Sequence, residues 1–430
     1  MSEKSLGSKR VIAAYAVGNA LEWYDFIAYA LLISTISRLF FPADNDFMSL
    51  LFAFGTFAVS YIVRPLGGIV FGAYADVHGR KNALSLTFLC MAFATTLLAM
   101  LPTYATLGVL APILLIALRF IQGFSAGGEF GSATAALIEV APPHRKGLFC
   151  SIQLGTQALA VLLAAIIIFA LTKRLSPEDF DSWGWRVPFL IGALLCPIGL
   201  YIRTKLHETL EFERARRSQT ISLQTPISDL TTGHLKQFLS VVCLFAAITG
   251  PNYINTVYLP SVVTEFYGLE RQDAILGVLI AAIVISIAVP FFGWLSDRIG
   301  SKKVALGGMV SGVLVYAAVY TNFVSSPSKE SFALLQALYA IPYSAVLGGA
   351  CLIAMERFPV LVRATGSGTS YNIATIVFGG MAPFWLFAVA LVIGSYGPLI
   401  YFALLAVLGV YGVRGVEGKK MIGSMRSVEN

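Results

Sequence analysis

Charge is what this sequence has least of. Its 430 residues hold 30 Lys and Arg and 23 Asp and Glu, so charged side chains make up 12% of the chain, about half the share in an ordinary soluble domain. So few groups able to face water exclude the soluble, disordered and collagenous classes. Histidine is also sparse: His78, His144, His207 and His234 all fall in polar segments between apolar runs. The usual physiological proton carrier is thus missing from the apolar runs themselves. Cysteine occurs an odd number of times, and Cys90, Cys150, Cys196, Cys243 and Cys351 each lie in or beside an apolar run. That distribution argues against a disulfide framework and against a zinc site. No HExxH pair and no Walker loop is present, so an enzyme is not expected, and neither is a metal or a cofactor.

What is abundant is apolar surface, at 57% of residues with a mean hydropathy of +0.77. A helix needs about 20 apolar residues to cross a hydrocarbon core about 30 Å thick. Twelve such runs centre near Leu21, Val59, Met91, Phe124, Val161, Leu194, Leu244, Val284, Leu314, Val346, Ile376 and Leu404. The first carries Glu22 and Asp25 and no small-residue cleavage motif, so it is expected to stay as a membrane helix and not to be removed as a signal peptide. With the N-terminus placed inside, the inner loops hold 22 Lys and Arg and the outer loops 6, with Arg64 and Arg119 inside spans. That bias predicts both termini in the cytoplasm. The net charge of +7 is then a matter of topology, and no nucleic-acid partner is expected.

The fold expected is an all-α polytopic membrane protein of two six-helix bundles. Residues 1–202 form the first bundle, 203–236 a cytoplasmic linker rich in charge, 237–414 the second bundle and 415–430 a short tail. The halves echo each other: Gly72, Asp76 and Gly79 recur 221 residues later as Gly293, Asp297 and Gly300, and Glu139 and Arg145 recur as Glu356 and Arg363. Internal duplication of this kind is how many secondary transporters are built, with the site between repeats near the bilayer midplane.

An ionisable side chain at mid-bilayer costs at least about 2.5–3.5 kcal/mol, so each needs a partner or a wet cavity. Five raise the question: Glu22, Asp25, Arg64, Arg119 and Glu129. Asn19, Glu22 and Asp25 recur every three residues and share one helix face. Two carboxylates one turn apart in a dry site oppose each other's ionisation, so Glu22, Asp25 and Glu129 are candidates for carrying a proton. The alternative is a fixed ion pair with Arg64 or Arg119, or, for Glu129 beside Gly127 and Gly128, plain helix packing. Arg119 either grips a substrate carboxylate or serves a structural pair. Asn19, Gln122, Gln157, Asn252, Asn255, Tyr258 and Asn372 could orient a ligand, and Pro251 should loosen the helix around Asn252. In the inner loops Asp76 and Asp297 could receive hydrogen bonds at a helix N-terminus of the opposite half. Arg80, Arg145 and Arg363 could pair with Glu139 and Glu356 there, and Arg298 is a further candidate for the gate.

Two stretches resemble the major facilitator superfamily: the loop Gly72-Ala73-Tyr74-Ala75-Asp76-Val77-His78-Gly79-Arg80-Lys81, and Arg119-Phe120-Ile121-Gln122-Gly123. Val77 departs from the first pattern, where a basic residue is usual. Gly18 to Phe26, Arg64-Pro65-Leu66-Gly67-Gly68, Gly127-Gly128-Glu129, Trp183 to Phe189 and Phe378-Gly379-Gly380 narrow the likeness to the metabolite:proton symporter branch, although Leu210 stands where that branch often has proline. The resemblance covers about residues 10–415. It implies twelve helices in two bundles that rock about a central site, and a gate formed by the loop residues above.

The function expected is proton-coupled import of a small organic acid across a bacterial inner membrane. The partners are the solute, protons and lipid, with no obligate protein. A zwitterionic osmolyte such as proline or betaine is the alternative; the tail from Arg414 to Asn430 shows no heptads, whereas osmosensing carriers of the branch typically have a coiled coil there.

Overall fold

In hydrocarbon a backbone amide has no water to bond, so a spanning segment must satisfy its own hydrogen bonds as helix. The computed structural model describes residues 19–20, 23–43, 45–68, 70–71, 80–127, 130–131, 134, 137–138, 141–204, 235–358 and 360–415, and regular structure among them is helical throughout. Among the described residues seven helices are long and apolar enough to cross a membrane. Eleven of the twelve expected centres fall within helix; Leu21 lies outside the described residues.

In chain order α1 comprises helical residues 19–20, 23–31 and Ile33–Phe40, α2 is Asp46–Gly68, α3 Arg80–Met100 and α4 Leu110–Ala126. They are followed by α5, Lys146–Arg174, and α6, Val187–Thr204. The second set begins with α7, Leu235–Glu265, then α8, Arg271–Ile299, α9, Ser301–Ser325, and α10, Lys329–Glu356. The last two are α11, which runs from Val360–Ala374 through Thr375–Gly380 into Ala382–Ile393, and α12, Gly397–Arg414. Most of the expected linker at 203–236 lies outside the described residues.

Burial separates inner from outer helices. In α10 89% of the apolar window is buried, against 39% in α8 and in α12. Large apolar side chains such as Leu194 and Ile287 lie on the outside of the bundle, where lipid covers them at no cost. The two sets of six meet chiefly where α5 packs on α8 and α10, and where α2 packs on α11. At the α5–α8 crossing Gly293 faces Ser151 so closely that any Cβ would overlap the Ser151 hydroxyl.

Two helices are widened mid-membrane. Pro251 has no N–H to donate within α7. Just beyond it Leu259 N–H donates to the Ile254 carbonyl, five residues back. In α11 Met381 N–H does the same to Ile376. Such π-turns interrupt the regular ladder and often mark functional positions.

Candidate functional site

The first six helices bury a charged network. Asp25 on α1 is 3% exposed. Its carboxylate accepts from the Thr95 hydroxyl at 2.8 Å and from Gln122 Nε2 at 2.7 Å, and faces Arg119 Nη1 at 3.7 Å. Arg119 donates in turn to Gln122 Oε1 at 2.8 Å. The rest of the guanidinium lies against rings, 4.2 Å from the centroid of Tyr29 and 4.9 Å from that of Phe26. Arg64 is held likewise, 4.4 Å from the Tyr61 ring centroid, 4.5 Å from Phe26 and 5.7 Å from Trp23. Ring faces are electron-rich and attract cations where water is excluded, so aromatics here supply what hydration supplies elsewhere.

Trp23 also lines a narrow cavity of about 30 Å³ between the two sets of helices. The other rings on its wall are Tyr253, Tyr343 and Tyr371, and its polar groups are Gln157, Thr249, Asn252 and Thr256. No charged side chain stands among the described lining residues. Gln157 Nε2 has no hydrogen-bond partner among the described residues, leaving a donor on the wall for a solute. The Thr256 hydroxyl donates to Asn252 Oδ1 at 3.3 Å, and the Tyr343 hydroxyl is fixed on the Ile248 carbonyl at 2.6 Å.

Of the expected ligand-orienting residues, this cavity gathers Gln157 and Asn252. The others are engaged elsewhere. Asn19 Nδ2 donates to Thr156 Oγ1 and to the Gln153 carbonyl, and its Oδ1 accepts from Gln153, which ties α1 to α5. Arg119 and Gln122 sit behind the aromatic layer. Asn255 Nδ2 caps the Pro251 carbonyl at 2.9 Å, Tyr258 faces Phe54, and Asn372 donates to the Gly127 carbonyl across α4 and α11. This division has one physical cause. A helix face offers several polar side chains, and only the rotation of that helix in the bundle decides which meets the cavity and which meets another helix. Trp23, Thr249, Tyr253, Thr256 and Tyr343 went unselected because single aromatic and hydroxyl residues in an apolar run carry no spacing signal.

Glu22, Glu129, Asp76 and Glu139 lie outside the described residues, as do the side chains of Arg80 and Arg363. At the end of the bundle where α12 finishes, called inner after the expected cytoplasmic face, Asp297 accepts from Gly147 N–H at 2.7 Å and Leu148 N–H at 3.0 Å. The carboxylate thus caps the N-terminus of α5, where the helix dipole favours an anion. Glu356 pairs with Lys146 at 3.9 Å, the basic side chain that the first turn of α5 brings to α10. Arg298 lies 4.0 Å from the centroid of Trp294 on its own helix. At the opposite end Arg38 reaches Asp181 at 3.4 Å and Glu265 at 3.3 Å, while Arg271 reaches Asp181 at 3.4 Å. Phe387 of α11 packs there against Phe47 and Phe54 of α2.

The sequence profile of the Major Facilitator Superfamily matches residues 16–368. The chain belongs to that superfamily. It is a multi-pass membrane transporter and not an enzyme. The citrate-proton symporter of Klebsiella pneumoniae is 35% identical over 379 residues, covering 88% of this chain and 85% of that one. A putative proline/betaine transporter of Staphylococcus haemolyticus is 33% identical, covering 98% and 91%. Among solved structures, the xylose transporter XylE from E. coli in a partially occluded inward open conformation superposes with a TM-score of 0.74 at 16% identity, over 96% of this chain and 99% of that one. At that identity the likeness concerns the fold: the superfamily's two six-helix bundles around a central cavity.

Proposed function

We propose that this transporter is a proton-coupled symporter that imports a small organic acid by alternating access, with both termini in the cytoplasm of a bacterial cell. The bundles comprise residues 1–202 and 237–414, joined by a linker at 203–236 and followed by a tail at 415–430. The observation that carries the reading is the buried Asp25–Arg119–Gln122–Thr95 network lying two residues along α1 from Trp23 on the cavity wall. Glu22 and Glu129 are proposed to share the proton-carrying role.

A proton arriving on Asp25 neutralises the carboxylate and leaves Arg119 as an uncompensated buried cation, a state costing about 3–5 kcal/mol. The system lowers that cost by moving α1 relative to α4 or by drawing in an anion. Phe26 and Tyr29 stand over the guanidinium, so direct contact with the solute is blocked in this conformation. Coupling therefore runs along α1, through Trp23. Gln157 and Asn252 orient the solute. At the inner end the Asp297 cap holds the halves together, with Asp76, Arg80, Glu139, Arg145, Arg298, Glu356 and Arg363 in supporting gate roles. The contacts of Arg38, Asp181, Glu265 and Arg271 close the opposite end.

The relatives named as a citrate-proton symporter and as a putative proline/betaine transporter frame the choice of solute. A second reading, a zwitterion such as betaine, is favoured by the ring-lined cavity free of charged groups among the described residues, because rings attract quaternary ammonium groups and an unpaired multiply charged anion is expensive in a dry site. The test is uptake into proteoliposomes with a pH dye inside, using citrate, 2-oxoglutarate, shikimate, proline and betaine in turn. One of them should enter with internal acidification and be competed by its own class. If no solute acidifies the lumen, the symport reading is withdrawn.

A further inference from the structure

Cys150 on α5 and Cys351 on α10 lie 201 residues apart in sequence and belong to opposite halves, yet both are fully buried against each other. The Cys351 thiol points at the Cys150 carbonyl oxygen at 4.0 Å across the α5–α10 contact. Cys150 sits one turn from Gly147, which with Leu148 is capped by Asp297, and next to Ser151, which packs closely on Gly293 of α8. Cys90, Cys196 and Cys243 are each partly exposed and lie on separate helices. The mechanism above uses none of these thiols. A rocking motion that opens the inner end must pull Cys150 and Cys351 apart and admit water to both.

We propose that Cys150 and Cys351 form a redox-sensitive lock, in which a disulfide between them fixes the two halves together at the inner end and stops transport. The inference rests on the proposed transport cycle, since a bond across the interface matters only if the interface opens. The oxidant is a diffusible small-molecule disulfide. With the inner end open, the thiolate of one cysteine attacks a sulfur of that reagent, forms a mixed disulfide and releases one reagent thiolate. On closure the thiolate of the second cysteine attacks the protein-bound sulfur and releases the other reagent thiolate. Two protein thiols have then lost two electrons and two protons, and the reagent has gained both as two free thiols. Access limits the first step, because a thiol buried in an apolar contact is inert. Lock formation should therefore slow when the inner end is held shut, and a reductant should reverse it.

The experiment treats the full-length protein in proteoliposomes with hydroxyethyl disulfide, then measures uptake and maps non-reduced peptides by mass spectrometry. A Cys150–Cys351 linked peptide should appear, with uptake falling in proportion to the linked fraction and returning with dithiothreitol. Cys150→Ser and Cys351→Ser should each transport normally before treatment and keep their uptake after it. Absence of the linked peptide overturns the lock. A linked peptide with undiminished uptake also overturns it, and shows in addition that this end need not open. Failure of uptake in untreated protein would instead count against the transport reading, which the peptide map does not depend on.

Discussion

Across the first six helices the buried polar side chains include Asp25, Arg64 and Arg119; across the last six, the buried polar side chains among the described residues are Ser, Thr, Asn and Gln, with no charge. Both sets share a loop pattern repeated at an offset of 221 residues, and the halves meet through reciprocal partners, α5 on α8 and α2 on α11. The duplicated architecture has thus kept its hinge and diverged in its interior. One half holds a titratable network wrapped in rings. The other holds π-turns in α7 and α11, and neutral groups of α7 such as Asn252 and Thr256 line the cavity. The cavity between them draws its wall from both halves, with Trp23 and Gln157 from the first and Asn252 and Thr256 from the second.

The sharpest way to break this comparison is to remove the charge from the first half. Asp25→Asn should abolish proton-driven accumulation and flatten the rise of uptake with falling external pH, while solute exchange across the membrane persists. It should also lower thermal stability, because Arg119 loses its counter-charge at a cost of about 3–5 kcal/mol. The double variant Asp25→Asn/Arg119→Gln should regain stability and still fail to accumulate. Full accumulation by the single variant would mean that the network is only structural.

The reverse experiment puts a charge into the second half. Asn255 is fully buried, and its amide caps the Pro251 carbonyl, so Asn255→Asp should reduce folded yield and melting temperature by a comparable energy. An unchanged melting curve would show that this half tolerates buried charge after all. A smaller effect separates neighbours on one helix. Asn252→Ala should raise the apparent KM about tenfold through loss of a hydrogen bond to solute, whereas Asn255→Ala should lower melting and leave KM in place. Equal KM values for both would remove Asn252 from the site.

The least expected effect is at the outer end. The ion pairs of Asp181 with Arg38 and Arg271 are part-exposed and worth about 0.5 kcal/mol each, about 1 kcal/mol together. Asp181→Asn should change uptake by no more than about fivefold and reduce its dependence on external salt, since screening already weakens such pairs in the wild type. A salt response identical to wild type would show that the latch does not hold that end.

Much of the fold was legible because its causes are local. Apolar runs long enough to span a bilayer, separated by polar loops, allow little besides helices, and the charged stretch from Arg203 divides them into six and six. The buried charges were equally visible, since a residue such as Arg119 inside an apolar run stands out by its solvation cost alone. The partner choices were not. Asn19 and Asn252 look alike in sequence, yet one bonds α5 and the other faces the cavity. Arg119 reads equally as a substrate grip or as half of a fixed ion pair, and only the structure shows Phe26 and Tyr29 standing over it.

The sequence by itself determined which segments enter the membrane and which ionisable groups go with them, because transfer from water to hydrocarbon is an energy each segment meets alone. Only the tertiary structure decided which polar groups meet one another and which line the cavity. That depends on helix rotation and on contacts such as Gly293 against Ser151, set by the packing of many side chains at once and encoded by none of them separately.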